Sequence, residues 1–194
     1  MASTAPPTLP PTSQLPNLDA TSRAQVLDLL FEPSTQLHTL SVTAIAEQHF
    51  ASYADLIDFV GTQFTTLLNS NLESDQKWLI DILGAHPRLG EKKVDSAMSR
   101  AEQAAMKAAE SAKGAGSGGD DAEIASKLKA LNEAYEEAFP GLKYVTFVNG
   151  RPRPVVMEDM ERRIARGDVR QEKVDAIQAM CGIAKDRARK LGAA

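Results

Sequence analysis

Apolar residues recur every three or four positions along most of the chain, the spacing of one face of an α-helix. These stripes predict helices near residues 18–31, 40–50, 52–68, 75–83, 96–112, 121–139, 154–166 and 168–184. Residues 143–148, KYVTFV, break this period and have no obvious partner strand, so we expect a buried extended segment there. The pattern therefore predicts an all-α fold, a single compact bundle of about eight helices.

Polar and glycine residues at the ends of these stripes predict where the helices begin and end. Ser41 or Thr43 is the expected cap of the second helix and Asp168 that of the last one. Gly84 and Gly167 follow apolar stripes directly, which favours the left-handed conformation that glycine adopts after a helix.

The length of 194 residues favours one domain. Residues 1–16 hold five of the ten prolines and no positive charge, which is typical of a disordered tail. Residues 17–194 are then expected to form a single all-helical domain, interrupted by a flexible loop at the glycine-rich stretch 113–121, KGAGSGGDD.

Charge and composition narrow the classes of partner. The 22 Lys and Arg residues against 26 Asp and Glu residues give a net charge of −4, without the basic patch that nucleic acid or an anionic membrane surface would favour. No apolar run of eighteen residues predicts a transmembrane helix. The single cysteine, Cys181, fits a reducing compartment and a core position. Because the chain ends without a Ser-Lys-Leu signal, we expect a cytoplasmic location, with peroxisomal import by an internal or piggyback route left open.

Two short motifs suggest chemistry. His86 lies in the sequence HPRLG just after a predicted helix end, and a loop histidine with an ordinary pKa near 6.5 is suited to acid and base roles. The alternative is a surface or helix-capping histidine. Ser99, Glu102 and Gln103 share one helix face, although Ser99 and Glu102 also have the spacing of a helix capping box.

A third motif is basic. Arg162 and Arg163 follow each other in a predicted helix, where basic residues usually form a solvated face. A buried arginine would instead suit an anionic ligand.

The ordered set of HPRLG, SRAEQ, YEEAF, an apolar run ending at Gly150 and a later Arg-Ile pair resembles the 2-oxo-4-hydroxy-4-carboxy-5-ureidoimidazoline (OHCU) decarboxylase family, in particular its fungal branch. The family catalyses the third step of urate breakdown, and its members use no metal or organic cofactor. The resemblance covers most of the chain and implies an all-helical fold and an anionic small-molecule substrate. Members often form homodimers, so a homodimer is the oligomeric state to test.

The resemblance also implies a set of site residues. His86 would be the principal catalytic residue and Glu102 its acidic partner. The implied substrate-binding residues are Pro87, Ser99, Gln103, Arg163 and the backbone around Val145 and Phe147. With these residues the enzyme would form (S)-allantoin without a metal, because the ring of the substrate itself accepts the electrons released with carbon dioxide.

Two other functions remain open at this point. The chain fits a non-enzymatic helical interaction domain, in which His86 would be exposed with no enclosing pocket. It also fits a related decarboxylase acting on another ureido or imidazoline compound.

Overall fold

The computed structural model describes residues 8–91, 97–112 and 118–193. These ranges contain a short 3-10 helix, Thr12–Asn17, and eight α-helices. The α-helices are α1 (Ala20–Leu30), α2 (Thr35–Ala46), α3 (Tyr53–Asn69), α4 (Glu73–Leu83), α5 (Ala97–Ala112), α6 (Gly118–Ala138), α7 (Arg153–Arg166) and α8 (Val169–Lys190). Residues 142–148 form an extended segment, and the described ranges contain no strand, so the all-α prediction is confirmed.

Helix α8 begins and α7 ends as the sequence predicts. The Asp168 carboxylate accepts a hydrogen bond from the Gln171 backbone N–H at 2.9 Å and caps α8. Gly167 ends α7 with a φ of 64°, the left-handed conformation expected of it.

The predicted start of α2 is wrong, since this helix begins at Thr35 and is capped by Ser34. Ser41 lies inside α2 and is fully buried, where its hydroxyl donates to Gln63 Oε1 at 2.8 Å. A polar residue that is hydrogen-bonded on the buried face interrupted the apolar stripe and displaced the predicted boundary.

The predicted conformation of Gly84 is also wrong. This residue ends α4 with a φ of −73°, in the right-handed region. A Cβ at this position would lie 2.7 Å from the Gly141 carbonyl oxygen. Glycine is therefore required because two backbones approach closely, two residues before His86.

The proline-rich tail is folded in the part that the structure describes. Leu15 is fully buried, and the Tyr53 hydroxyl donates to the Pro10 carbonyl at 2.7 Å. This corrects the disorder expected for residues 8–16, because packing against the core fixes the short 3-10 helix. Residues 1–7 lie outside the described ranges.

Most of the predicted flexible loop, residues 113–117, also lies outside the described ranges. In the remaining part Gly118 begins α6, and the flexibility of residues 113–121 stays a prediction. In the described ranges no helix is both long and apolar enough to cross a membrane.

Helices α3 and α8 form the central pair of the bundle, and α1, α2 and α4 pack around them. Gly61 of α3 lies against Cys181 of α8, where a Cβ would come 2.8 Å from Sγ. Cys181 is part of this apolar interior, and burial raises the pKa of its thiol to about 11. The tight pairing of α3 with α8 fixes the last turns of α8, which reach the candidate site.

Candidate active site

A cavity of about 370 Å³ opens between the loop after α4, helix α5, the extended segment and the end of α8. This volume is in the range of about 300–1,000 Å³ typical of small-molecule sites. Six of the eight residues that the resemblance implied line it: His86, Pro87, Ser99, Glu102, Gln103 and Phe147.

The loop that carries His86 is held on both sides by neighbouring helices. Gln103 of α5 donates to the Arg88 carbonyl at 3.3 Å, and Asn132 of α6 donates to the Leu89 carbonyl at 3.1 Å. The Arg88 guanidinium also binds both carboxylate oxygens of Glu136 on α6, at 2.5 and 2.6 Å. These contacts place the histidine on a rigid connection although it lies outside any helix.

The imidazole of His86 is largely buried, with 14% of its side chain exposed. Burial, together with the nearby Arg187 guanidinium, lowers the pKa of His86 to about 4, against the opposing effect of Glu102. The resting imidazole is therefore neutral at pH 7, whereas a histidine with the ordinary pKa near 6.5 would be partly charged there. A neutral imidazole accepts a proton or a hydrogen bond from a ligand.

Helix α5 supplies the polar side of the cavity. The Ser99 hydroxyl is 2% exposed and donates to Glu32 Oε1 at 2.5 Å. Glu102 lies one turn further along, with 25% of its side chain exposed to the cavity. Since α5 begins at Ala97, Ser99 is inside the helix and the capping-box interpretation of these residues is wrong.

Arg187 of α8 organises the buried charges behind the cavity. Its fully buried guanidinium binds Glu102 through two hydrogen bonds, Nε to Oε1 at 2.8 Å and Nη2 to Oε2 at 2.9 Å. The Nη2 atom also donates to Glu32 Oε1 and to Ser99 Oγ, each at 2.8 Å. One arginine thus joins the α1–α2 connection to α5 and fixes both carboxylates.

The extended segment forms the opposite wall. Phe147 and Thr146 line the cavity together with Arg151, whose Nη2 donates to Thr146 Oγ1 at 2.6 Å and to the Phe147 carbonyl at 2.7 Å. Val145 is fully buried in the core and does not line the cavity, and the substrate contact expected of its backbone stays a prediction.

Arg163 does not line the cavity either, and its expected substrate contact stays a prediction. Its guanidinium binds Asp159 at 3.0 Å and Glu172 at 3.2 Å, and it lies over the Tyr144 ring at 5.1 Å. It also donates to the Val145 carbonyl at 3.3 Å. Arg163 therefore supports the extended segment from behind, while the neighbouring Arg162 is 75% exposed.

Sequence reasoning missed Glu32 and Arg187. Arg187 lies four residues after Ile183 and seven after Met180, on the buried face of α8, so its position in the helical stripe was a usable signal. Glu32 lies between two helices in the sequence FEPS, where no periodic pattern shows that it is buried.

A cavity that brings a neutral, buried histidine to a positioned carboxylate defines a small-molecule enzyme of acid–base type. The model of the OHCU decarboxylase family matches residues 16–189 of the 194. The chain belongs to this family, which consists of carboxy-lyases acting in urate degradation. A search of curated proteins found no significant match.

Family membership also decides between the classes left open by the sequence. A non-enzymatic interaction domain predicted an exposed His86 without an enclosing pocket, whereas His86 is largely buried and lines the cavity. The chain is an enzyme of the carboxy-lyase class, and its substrate is a small molecule.

Proposed function

We propose that the protein decarboxylates 2-oxo-4-hydroxy-4-carboxy-5-ureidoimidazoline to (S)-allantoin without a cofactor. The observation that carries this proposal is the meeting of His86 and the Arg187-bound carboxylate of Glu102 at one cavity. Membership of the OHCU decarboxylase family supports the choice of substrate.

The substrate supplies its own electron sink. Breaking the bond between the ring carbon and its carboxylate releases carbon dioxide, and the electron pair forms a double bond to the neighbouring ring carbon. The imine nitrogen of that carbon takes up the negative charge and then a proton. The resulting enol becomes the carbonyl of allantoin when its hydroxyl loses a proton and the ureido-bearing carbon gains one.

His86 is the general base in these reaction steps. Its neutral imidazole takes the proton from the substrate hydroxyl, and as an imidazolium it returns a proton to one face of the ureido-bearing carbon. Delivery from a fixed side of the cavity accounts for a single stereoisomer of the product.

Glu102 and Gln103 orient the ring. Each Glu102 oxygen accepts one hydrogen bond from Arg187 and keeps lone-pair capacity for the substrate hydroxyl or a ring N–H. Gln103 lies on the same side and offers hydrogen bonds to the ureido group, while Pro87 and Phe147 form apolar walls. The proton of the Ser99 hydroxyl is donated to Glu32, so Ser99 can only accept a hydrogen bond from a ureido N–H.

The experiment generates the unstable substrate in place from urate, with urate oxidase and hydroxyisourate hydrolase, and follows the product by circular dichroism. We expect a rapid rise of optically active allantoin that depends on this protein. Slow formation of racemic allantoin at the spontaneous rate would reject the proposed substrate.

A further inference from the structure

We propose that Glu32 is a positioning residue that holds the proton of neutral His86 on Nδ1 and stabilises the imidazolium formed during decarboxylation. The inference rests on the proposed function for its effect on rate, while its claim about the histidine itself stands on the geometry alone.

The geometry places a carboxylate beside one ring nitrogen only. Glu32 Oε1 lies 3.6 Å from His86 Nδ1, just outside hydrogen-bond distance. No side chain in the described ranges hydrogen-bonds to Nε2, the ring nitrogen left for the substrate. A carboxylate accepts hydrogen bonds and cannot donate one when ionised, so it favours the tautomer whose Nδ1 carries the proton.

Glu32 is itself held in a single position. It is only 3% exposed, and its Oε1 atom accepts hydrogen bonds from Ser99 Oγ at 2.5 Å and from Arg187 Nη2 at 2.8 Å. Because it does not line the cavity, it acts on the substrate only through His86. The role of Glu32 therefore differs from that of Glu102, which does line the cavity.

The charged groups around His86 lie on several elements, and Glu32 is one of those that favour the protonated imidazolium over the neutral ring. Arg187 on α8 and Lys143 before the extended segment disfavour the imidazolium, and Glu102 on α5 favours it. A carboxylate at 3.6 Å adds to the effect of Glu102, since opposite charges at this range favour the ionised form. When His86 takes the substrate proton, the distance to Glu32 can shorten into a charge-assisted hydrogen bond.

The first experiment reads the tautomer in the wild-type protein. The ¹⁵N chemical shifts of the histidine rings at pH 7 separate Nδ1–H from Nε2–H, and three histidines keep the spectrum simple. Assignment uses the spectra of His38→Asn and His49→Asn. We expect an Nδ1–H tautomer for His86, and an Nε2–H tautomer would overturn the proposal whether or not the protein decarboxylates the substrate.

The second experiment compares Glu32→Gln, which keeps the shape, with Glu32→Asp, which keeps the charge. The orienting aspartate of a Ser-His-Asp triad is worth about 10⁴-fold in kcat, and the longer contact here predicts a loss of about 10- to 100-fold for Glu32→Gln. We expect an unchanged KM for Glu32→Gln and partial recovery of kcat in Glu32→Asp. A packing role predicts the reverse order of the two variants, with Glu32→Asp less active than Glu32→Gln, and that result would overturn the proposal.

The matched control is Glu172→Gln. Glu172 is also a fully buried, ion-paired glutamate, bound to Arg166 at 2.8 Å, and it does not line the cavity. We expect Glu172→Gln to leave the His86 tautomer and its ¹⁵N shifts unchanged, whereas Glu32→Gln shifts them. Equal shifts in both variants would trace the effect to general loosening of the fold and reject the role of Glu32.

Discussion

The guanidinium of Arg187 binds the carboxylate of Glu102 with two hydrogen bonds, at 2.8 and 2.9 Å, although the two residues are 85 positions apart in the chain. This fork joins the end of α8 to α5 and holds the acidic group of the cavity in one orientation. The same arginine also binds Glu32, so a single buried cation holds both carboxylates in position.

Replacing His86 by asparagine should abolish most of the catalysed decarboxylation. General acid–base catalysis contributes about 10²–10⁴-fold, and an amide can neither take nor return the proton. Circular dichroism of the allantoin formed in the coupled assay measures the loss. The control is His38→Asn, since His38 binds Asp28 at 2.7 Å and does not line the cavity, and near wild-type turnover of His86→Asn would contradict the assignment.

The lowered pKa of His86 predicts an acid-dependent loss of stability. The unfolded chain binds a proton at His86 below about pH 6.5 and the folded protein only near pH 4, so the unfolded state holds more protons in this window. The contribution of neutral His86 to the free energy of unfolding is therefore complete above pH 6.5 and is lost as the pH falls toward 4.

This loss amounts to about 3 kcal/mol for a shift of this size. Urea unfolding of wild type and His86→Asn at several pH values isolates it, because the other titrating groups are shared. We expect the variant to gain stability relative to wild type between pH 6.5 and 4. Parallel curves would show that His86 titrates normally in the folded protein.

Arg187→Met should strongly destabilise the protein. The substitution leaves Glu32 and Glu102 without their cation, and removing one partner of a buried ion pair costs about 3–5 kcal/mol. Arg189→Met on the same helix is the control, since Arg189 is 70% exposed and should cost less than about 0.5 kcal/mol. Equal unfolding free energies for the two variants would contradict the central role of Arg187.

The substitution Arg163→Met tests whether Arg163 supports the extended segment or binds the substrate. We expect a loss of about 3–5 kcal/mol in unfolding free energy, because Asp159 and Glu172 lose a buried partner, and an unchanged KM at a temperature where the variant is folded. The exposed neighbour Arg162 gives the matched control Arg162→Met. A large rise in KM with normal stability would instead place Arg163 on the substrate, as the family resemblance implied.

The helices could be predicted from the sequence because each depends on neighbours three or four residues apart. The cap at Asp168 and the end of α7 at Gly167 follow from the same local geometry. The prediction was wrong for α2 because Ser41 occupies a buried position, where its hydrogen bond to Gln63 of another helix replaces an apolar contact.

His86, Ser99, Glu102 and Gln103 were also found from short motifs, since each motif lies within one loop or one helix turn. The sequence by itself thus determined the all-helical fold and these four groups that face the cavity. Only the tertiary structure decided which charges surround them. Glu32 lies 155 residues from Arg187 and 67 from Ser99, and these contacts arise only when the helices pack. Arg163 and Arg187 have similar charged neighbours in the chain, and the docking of α7 and α8 alone places one behind the extended segment and the other behind the cavity.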